Sequence, residues 1–575
     1  MYIVLSEAGT DRASLSTLND DGSAAAGPEY IPRARLAERV AQLEATAAPR
    51  WVWGDTATAY PPLLAVGVRV ERCHDLRLSR AILRASSLTV ETALARESAS
   101  VWDAAPPLGG PAVSATAASA ALFDLDDSPA PHAPGGDDDP PAELRRQLEA
   151  VRTSADPNRL RLLLAAESAG ALIASEMSHA GLPWREDLHD ELLTELLGAR
   201  VGAGLRPELL ERLAEQIRAE TGAAQLNPDS PAEVLRALRG AGLTVVTTRS
   251  WELKQLDHPA IAPLLEYKKL SRLLSANGWS WMESWVTDGR FSPEYVPGGV
   301  VSGRWATRGG GALQLPKQVR RAVTADDGWM LVVADAAQLE PRILAGISGD
   351  TAMAAAGRGT DLYAGIVAGG AVSTRAEAKV AMLGAMYGAT TGESGRLLPR
   401  LARTYPTALA YVETAARAGE RGEVVTSRLG RSSPRPSDEW AELQARATEG
   451  AASDAELARA RQQARDWGRF TRNFVVQASA ADWALCWMAD LRRALAAFSP
   501  AAAAPGRAAA PFGRQPHLVF FLHDEVIVHT PAAYAEEVAA ALCSSAAAAT
   551  RLLFGAFPLE IPLDVSIVSS YADAD

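Results

Sequence analysis

The sequence predicts a multidomain α+β protein, on three observations. Residues 1–122 alternate short apolar runs (MYIVL, RWVWG, LLAVGVRV) with helical-looking stretches, the pattern of a small α/β domain. The region from about 143 to 285 is spaced as helices, as in AELRRQLEAVR and PELLERLAEQIRAE. The C-terminal part then carries apolar, strand-like runs that end in acids: MLVVAD at 330–335, and HLVFFL and VIVHT on either side of His523-Asp524-Glu525. At 575 residues the chain is long enough for two to four domains with cores of their own.

Bulk properties narrow the class. Hydrophobic content of 48% and charged content of 22% are those of a globular protein. No run of eighteen apolar residues occurs, so neither a membrane span nor a membrane partner is expected. The first residues lack a basic segment followed by an apolar core, so no signal peptide is expected. Cys73, Cys486 and Cys543 fit no CxxC spacing, which argues against a zinc site or a disulfide framework and for a reducing cytoplasm. A net charge of -12 disfavours a wholly cationic nucleic-acid binder. Cations concentrated along one cleft would answer that objection.

Taken in order, residues 1–122 form the α/β unit, and 123–143 read as an acidic Pro/Gly linker. Residues 144–289 are mainly helical, interrupted by a strand-like LTVVTT at 243–248. Residues 290–350 hold MLVVAD and the helix after it. Residues 351–464 include a helix over 374–387, whose Thr374 and Glu377 form a capping box. Residues 465–575 contain the HLVFFL–VIVHT hairpin and a low-complexity insertion, SPAAAAPGRAAAPFG, at 499–513.

Phosphoryl transfer from a nucleoside triphosphate uses two divalent cations, about 3.5–4 Å apart, held by carboxylates on a rigid platform. Asp335 ends a strand and Asp524 sits at a hairpin turn. Either acid alone reads as a helix cap or turn former. Between them, steps of four place Arg375, Lys379, Leu383 and Tyr387 along one helix stripe. That stripe suits a triphosphate at one end and a base pair at the other. It equally suits a solvated basic end and a buried Leu–Tyr end.

The stretches around these residues resemble the family A DNA polymerases. Asp335-Ala336-Ala337-Gln338-Leu339-Glu340-Pro341-Arg342-Ile343 resembles their motif A, D-Y-S-Q-I-E-L-R-I. Arg375-x3-Lys379-x3-Leu383-x3-Tyr387-Gly388 resembles motif B, and Leu522-His523-Asp524-Glu525-Val526 resembles motif C. Leu264–Leu270, Ser302-Gly303-Arg304-Trp305, Leu313-Gln314-Leu315-Pro316 and Arg469-x3-Asn473-x3-Gln477 resemble further family segments, over roughly 145–575. The resemblance implies a right hand of palm, fingers and thumb behind a small α/β exonuclease-like domain. It implies Asp335 and Asp524 as ligands of two Mg²⁺ ions (Mn²⁺ as a substitute), with Glu525 as an accessory acid. Arg375 and Lys379 would hold the dNTP, with Lys379 protonating the departing pyrophosphate. Glu340 would be the gate against a ribose 2′-hydroxyl. Tyr387 would lie beside the templating base, and Gln338, Tyr363 and Leu383 would complete the dNTP site. Arg304, Gln314, Arg469, Asn473, Gln477, His523, Lys268 and Lys269 would contact primer–template DNA. A monomer in the cytoplasm, at the nucleoid, is expected.

Several positions depart from the family pattern. Ala336 and Ala337 replace Tyr and Ser, Leu383 replaces an aromatic, and Tyr363 stands where His is usual. Pro341 is compatible with a helix only in its first turn. The stretch between Tyr387 and Thr404 is short, so trimmed fingers are expected. In the N-terminal domain, Tyr2-Ile3-Val4-Leu5-Ser6-Glu7-Ala8 lacks the D-x-E of a 3′–5′ exonuclease, and His74-Asp75-Leu76 and Asp156 read as surface acids. A polymerase without proofreading, and without a 5′-nuclease domain, is therefore expected. The alternatives are a catalytically silent primer–template binding protein, a nuclease, and a polymerase with relaxed sugar or template selectivity.

Overall fold

The computed structural model describes residues 1–103, 139–202, 204–308, 311, 315–359, 361–388, 392–449, 452–502 and 505–574. The N-terminal sheet is built from β1 (Tyr2–Glu7), β2 (Arg12–Leu18), β3 (Glu29–Pro32), β4 (Arg50–Trp53) and β5 (Arg72–Asp75), in the order β3-β2-β1-β4-β5. β1 is antiparallel to β2 and parallel to β4, and β4 is parallel to β5. The apolar alternation seen in the sequence is what this sheet buries: Ile3, Val4, Trp51 and Trp53 are all at most 2% exposed. Helices α1 (Arg33–Ala47) and α2 (Leu76–Ala85) complete the unit.

Most of the expected linker, 123–138, lies outside the described residues. Its last residues are not linker, because α3 (Pro140–Arg152) begins inside it with Pro in its first turn. Glu143 of α3 is fully buried against Arg80 of α2, 3.0 Å away. A second buried cluster ties the N-terminal unit to the rest. Glu176, on α4 (Pro157–Ala180), accepts from Tyr60 Oη (2.8 Å), Arg69 Nε (2.9 Å) and Arg492 Nε (3.0 Å). A buried carboxylate is tolerable only when paired in this way.

The middle region is helical as expected, with α5 (Glu186–Leu197), α6 (Glu208–Thr221), α7 (Pro231–Gly240) and α8 (Ile261–Asn277). LTVVTT is not a strand. Its backbone groups find side chains instead of a neighbouring strand: Arg239 donates to the Val245 carbonyl (3.0 Å), and Glu252 accepts from Val246 N (2.6 Å) and Thr247 N (2.8 Å).

The C-terminal sheet is antiparallel throughout. β6 (Trp329–Ala336) lies between β8 (Glu525–Pro531) and β9 (Leu563–Val568), and β7 (His517–Leu522) pairs with β8. From β6 the chain passes through α9 (Leu339–Ser348), α10 (Leu362–Ala368), α11 (Arg375–Tyr387), α12 (Gly392–Thr404) and α13 (Pro406–Glu420). The 43-residue helix α14 (Asp454–Ala496) then runs through the expected boundary at 464/465 without a break. The following helix, α15 (Ala535–Phe554), belongs to a stretch that is long and apolar enough to cross a membrane by length and composition alone. Here that apolarity packs on β6, β8, β9 and α14.

The insertion at 499–513, of which 503–504 are not described, is a closed strap. Gly506 N donates to Gly513 O (2.7 Å), Arg507 N to Asp326 (2.7 Å), and the Arg69 guanidinium lies 5.6 Å over the Phe512 ring. Its small residues permit this close packing.

Candidate active site

Two chain reversals build the site. β6 ends where Ala336 N donates to Asp524 O (2.9 Å), and Gln338 adopts a left-handed conformation (φ 49) that turns the chain into α9. Pro341 is the third residue of α9, where no intrahelical donor is required. The Ala337 carbonyl that Pro341 leaves free accepts instead from Nε of buried Arg342, at 3.0 Å. The second reversal is the two-residue loop His523-Asp524, closed by the pair Leu522–Glu525. His523 has positive φ (60), and Asp524 N donates across it to the Leu522 carbonyl (2.7 Å).

The strand register then sets the acids. Asp335 lies opposite Glu525 on β8 and opposite Asp564 on β9. Directly paired residues share a face, with Cβ atoms about 4.5–5.5 Å apart. Asp524 sits in the adjoining loop. Burial, then the charge of Asp564, raises the Asp335 carboxyl above its usual range, with Arg320 opposing. Burial, then Asp335, pushes Asp524 up to about 7. Two acids that repel each other at neutral pH fit a divalent cation, which would remove the repulsion. No group of three His, Cys, Asp or Glu side chains is close enough to enclose a metal among the described residues.

Asp524, His523, Arg304, Glu340 and Tyr387 line one cleft of about 300 Å³, floored by Ala480 and Ala481 of α14. Arg304 is ion-paired with Glu340, Tyr387 Oη donates to Glu340 (2.9 Å), and Gln477 Nε2 to Tyr387 Oη (3.5 Å). Gly303 holds Arg304 in place. Its φ is 83, and a Cβ there would lie 2.3 Å from Nε of Arg431. Arg431 is itself buried in an ion pair with Glu167.

A second group stands beside the cleft. Gln338 Nε2 donates to Asp361 (3.0 Å), Arg375 pairs with Asp361 (2.8 Å), and the Arg375 guanidinium lies 5.5 Å over the Tyr363 ring. Thr374 caps α11 by accepting from Glu377 N (3.1 Å). The reciprocal half of the expected capping box is displaced: the Glu377 carboxylate accepts from Ser373 N (2.8 Å). Lys379 is exposed and has no ion-pair partner among the described residues, whereas Leu383 packs against the core.

On α14, Arg469, Asn473 and Gln477 recur every fourth residue on one face. Arg469 is paired with Asp466, and Asn473 Nδ2 is buried without a partner. Lys268 and Lys269 are not brought to the cleft. Lys268 donates to the Thr248 carbonyl and Lys269 pairs with Glu266 (3.3 Å), both on α8. Gln314 lies outside the described residues.

Two site residues escaped the sequence reading. Asp564 follows no motif, and only strand register reveals it. Tyr571 donates its hydroxyl to Glu525 Oε1, and the Arg320 guanidinium lies 4.2 Å from its ring centroid. In the N-terminal unit, the surface reading of Asp75 is wrong. It is 1% exposed, caps α2 through Leu78 N (3.0 Å), accepts from Thr56 Oγ1 (2.7 Å), and is pushed up to about 6 by burial. Asp156 is the N-cap of α4, accepting from Arg159 N (3.1 Å).

The model of DNA polymerase family A matches residues 205–573. DNA polymerase I of Chloroflexus aurantiacus is 29% identical over 245 residues, 38% of this chain and 24% of that protein. The thermostable DNA polymerase I of Thermus thermophilus is 25% identical over 341 residues, 54% of this chain and 36% of that protein. The alignments thus span about a third or less of these curated relatives. The POL domain of Pol1 from M. smegmatis, solved in complex with DNA primer-template and dNTP, matches with a TM-score of 0.64 at 18% identity, covering 100% of this chain and 95% of that one. That likeness carries the fold, a right hand behind an α/β unit. With the family model matching well over half of its length, the chain belongs to DNA polymerase family A.

Proposed function

We propose that the chain is a template-directed DNA polymerase that adds dNTPs to a primer 3′-hydroxyl and does not proofread. The observation that carries this reading is the Asp335–Asp524 pair: Asp335 near the end of a central strand and Asp524 in the hairpin loop that lines the cleft, each raised by burial, with the charge of Asp335 pushing Asp524 up further. Two bound Mg²⁺ ions, or Mn²⁺ in their place, would supply activation of the primer hydroxyl and neutralisation of the triphosphate. The primer 3′-hydroxyl releases its proton to solvent water, and its oxygen forms a bond to the α-phosphorus as the bond to the pyrophosphate oxygen breaks. Lys379, exposed and without an ion-pair partner among the described residues, donates its proton to that leaving oxygen. Arg375, braced by Asp361 and Tyr363, orients the triphosphate.

Glu340 stands at the cleft as the gate against a 2′-hydroxyl, held by Tyr387 and Arg304. Tyr387 borders the templating base. Arg304, Gln477 and His523 follow the primer–template minor groove, testing pair shape without reading sequence. The N-terminal unit is proposed to be inert as a nuclease. Glu7, the one acid on β1, is paired with Arg33, and Asp75 is engaged as a helix cap.

The test is a 5′-labelled primer on a longer template in Mg²⁺, with and without dNTPs, beside an Asp524→Ala variant. The expected result is extension that the variant loses, with no shortening when dNTPs are omitted. Binding without extension in either Mg²⁺ or Mn²⁺ would make the chain a silent primer–template binding protein. Shortening without dNTPs would restore the exonuclease.

A further inference from the structure

Helix α4 braces the cleft without lining it. It precedes residues 205–573, the stretch that the family model matches. Its Glu167 is 1% exposed and ion-paired with Arg431, and Nε of Arg431 lies 3.8 Å from Asp482 of α14. Asp482, fully buried, also accepts from Leu429 N (3.0 Å) and so fastens the turn that carries Arg431. Burial opposes the charge on Arg431, and the carboxylates of Glu167 and Asp482 outweigh it. Among the described residues, Glu167 Oε1, Arg431 Nε and Asp482 Oδ1 have no hydrogen-bond partner. A buried ion pair with unmatched atoms is a poor source of stability, since apolar residues of the same volume would serve the fold at least as well.

What the pair touches is the loop that carries Arg304. Two glycines of that loop lie on it, one at each end. Gly298 has φ 62, and a Cβ there would stand 2.7 Å from Glu167 Oε1. Gly303 has φ 83, and a Cβ there would strike the Arg431 guanidinium. Both positions therefore need glycine, for the backbone conformation and for the close approach. Between them the loop closes on itself, with Gly303 N donating to the Val300 carbonyl (2.7 Å) and Val300 N to the Arg304 carbonyl (3.1 Å). One turn further along α4, Gly170 meets the next residue of the chain, Trp305, where a Cβ would stand 3.4 Å from Cζ2. α4 thus supports the backbone on both sides of Arg304. Arg304 is in turn ion-paired with Glu340 at the cleft, and Tyr387 is the other group that holds that carboxylate.

We propose that Glu167 is a positioning residue for sugar discrimination: through Arg431 it seats the 298–303 loop and so fixes where Arg304 holds the Glu340 gate. The proposal rests on the polymerase reading, in which Glu340 stands against a ribose 2′-hydroxyl. Glu167 itself touches no substrate. Its charge keeps the Arg431 guanidinium against Gly303. Without that charge the guanidinium is free to turn to Asp482 alone, the loop loses its seat, and Glu340 loses one of the two groups that hold it. A carboxylate so released moves aside for a 2′-hydroxyl, so selectivity suffers more than synthesis.

The test is single-turnover incorporation of one dNTP and of the matching rNTP at saturating primer–template, for the full chain and for Glu167→Gln, which keeps the volume and removes the charge. Selectivity is the ratio of the two incorporation efficiencies. Both are measured on the same folded molecules, so a smaller active fraction leaves the ratio unchanged. A displacement of ~1 Å at a reacting centre can cost about 100-fold. The partial loosening in Glu167→Gln should lower selectivity about 10-fold, chiefly by raising rNTP incorporation, with the dNTP rate within about 3-fold of wild type. Arg304→Ala should show the same loss, and Glu167→Gln should add nothing in that background. If Glu167→Gln does not fold, Gly298→Ala reaches the same seat from the loop side and should lower selectivity likewise. Wild-type selectivity in the folded variant, or a further loss in the Arg304→Ala background, overturns the proposal alone. A wild type that incorporates both nucleotides equally overturns the gate and the proposal with it. One that incorporates neither overturns the polymerase reading and the proposal together.

Discussion

Replacing Asp524 with Asn should remove activity and yet stabilise the protein at neutral pH. In the folded protein the carboxyl is raised from 3.8 to about 7, by burial first and by Asp335 second. A raised acid binds its proton more tightly folded than unfolded. Its cost is therefore absent below about pH 3.8, grows as pH rises through the interval, and is complete above pH 7. That displacement sets a ceiling of about 4 kcal/mol. The group is only partly buried, so solvent screening brings the expected gain to about 1–2 kcal/mol. The assay is urea unfolding of wild type and Asp524→Asn in EDTA at pH 5, 6, 7 and 8. The variant's advantage should be smallest at pH 5, widen to pH 7 and level off near pH 8, and saturating Mg²⁺ should stabilise the wild type more than the variant. A variant less stable at pH 8, or an advantage indifferent to pH, would refute the claim that the two acids are held against each other for a cation.

The other predictions concern what holds the site. Arg492→Met should destabilise the fold by about 3–5 kcal/mol in urea unfolding, because it leaves the buried Glu176 carboxylate with Arg69 as its one cation beside the Tyr60 hydroxyl. Burial would raise Glu176, but Arg492 and Arg69 outweigh it and hold it at about 2, so wild-type stability from this cluster should be complete above about pH 4.5 and fade as pH falls toward 2. Tyr571→Phe keeps the ring under Arg320 and removes the hydroxyl from Glu525; single-turnover extension should slow several-fold with Tm unchanged, and in Glu525→Gln the same change should add nothing. Gly303→Ala should cost about 1–3 kcal/mol in thermal unfolding and weaken primer–template binding, since its Cβ would strike Arg431 and its φ is left-handed.

What was legible in the sequence is what local chemistry fixes. β6, the hairpin around His523-Asp524 and α11 follow from apolar runs, a polar two-residue turn and the Thr374 cap, and each lies within a residue or two of its expected place. Asp335 and Asp524 could be paired only because three motifs occur in order, since neither acid differs locally from a helix cap. Asp564 was invisible for the opposite reason. An acid on a strand that closes the sheet has no local signature, and its place beside Asp335 is a property of register.

The misreadings share one cause, burial set by distant partners. Asp75 reads as a surface acid until Thr56 and the start of α2 are folded onto it. Glu143 reads as linker until Arg80 arrives from a helix some sixty residues earlier. LTVVTT has strand propensity, but Glu252 and Arg239 take the backbone groups that a neighbouring strand would need.

The central claim is template-directed synthesis at Asp335 and Asp524, and single-nucleotide incorporation tests it most directly. Each of the four dNTPs is offered in Mg²⁺ against each of the four template bases, with wild type and Asp335→Asn. The account predicts that wild type adds only the complementary nucleotide at an appreciable rate and that Asp335→Asn adds none. Incorporation that ignores the template base, or that survives in Asp335→Asn, would contradict it.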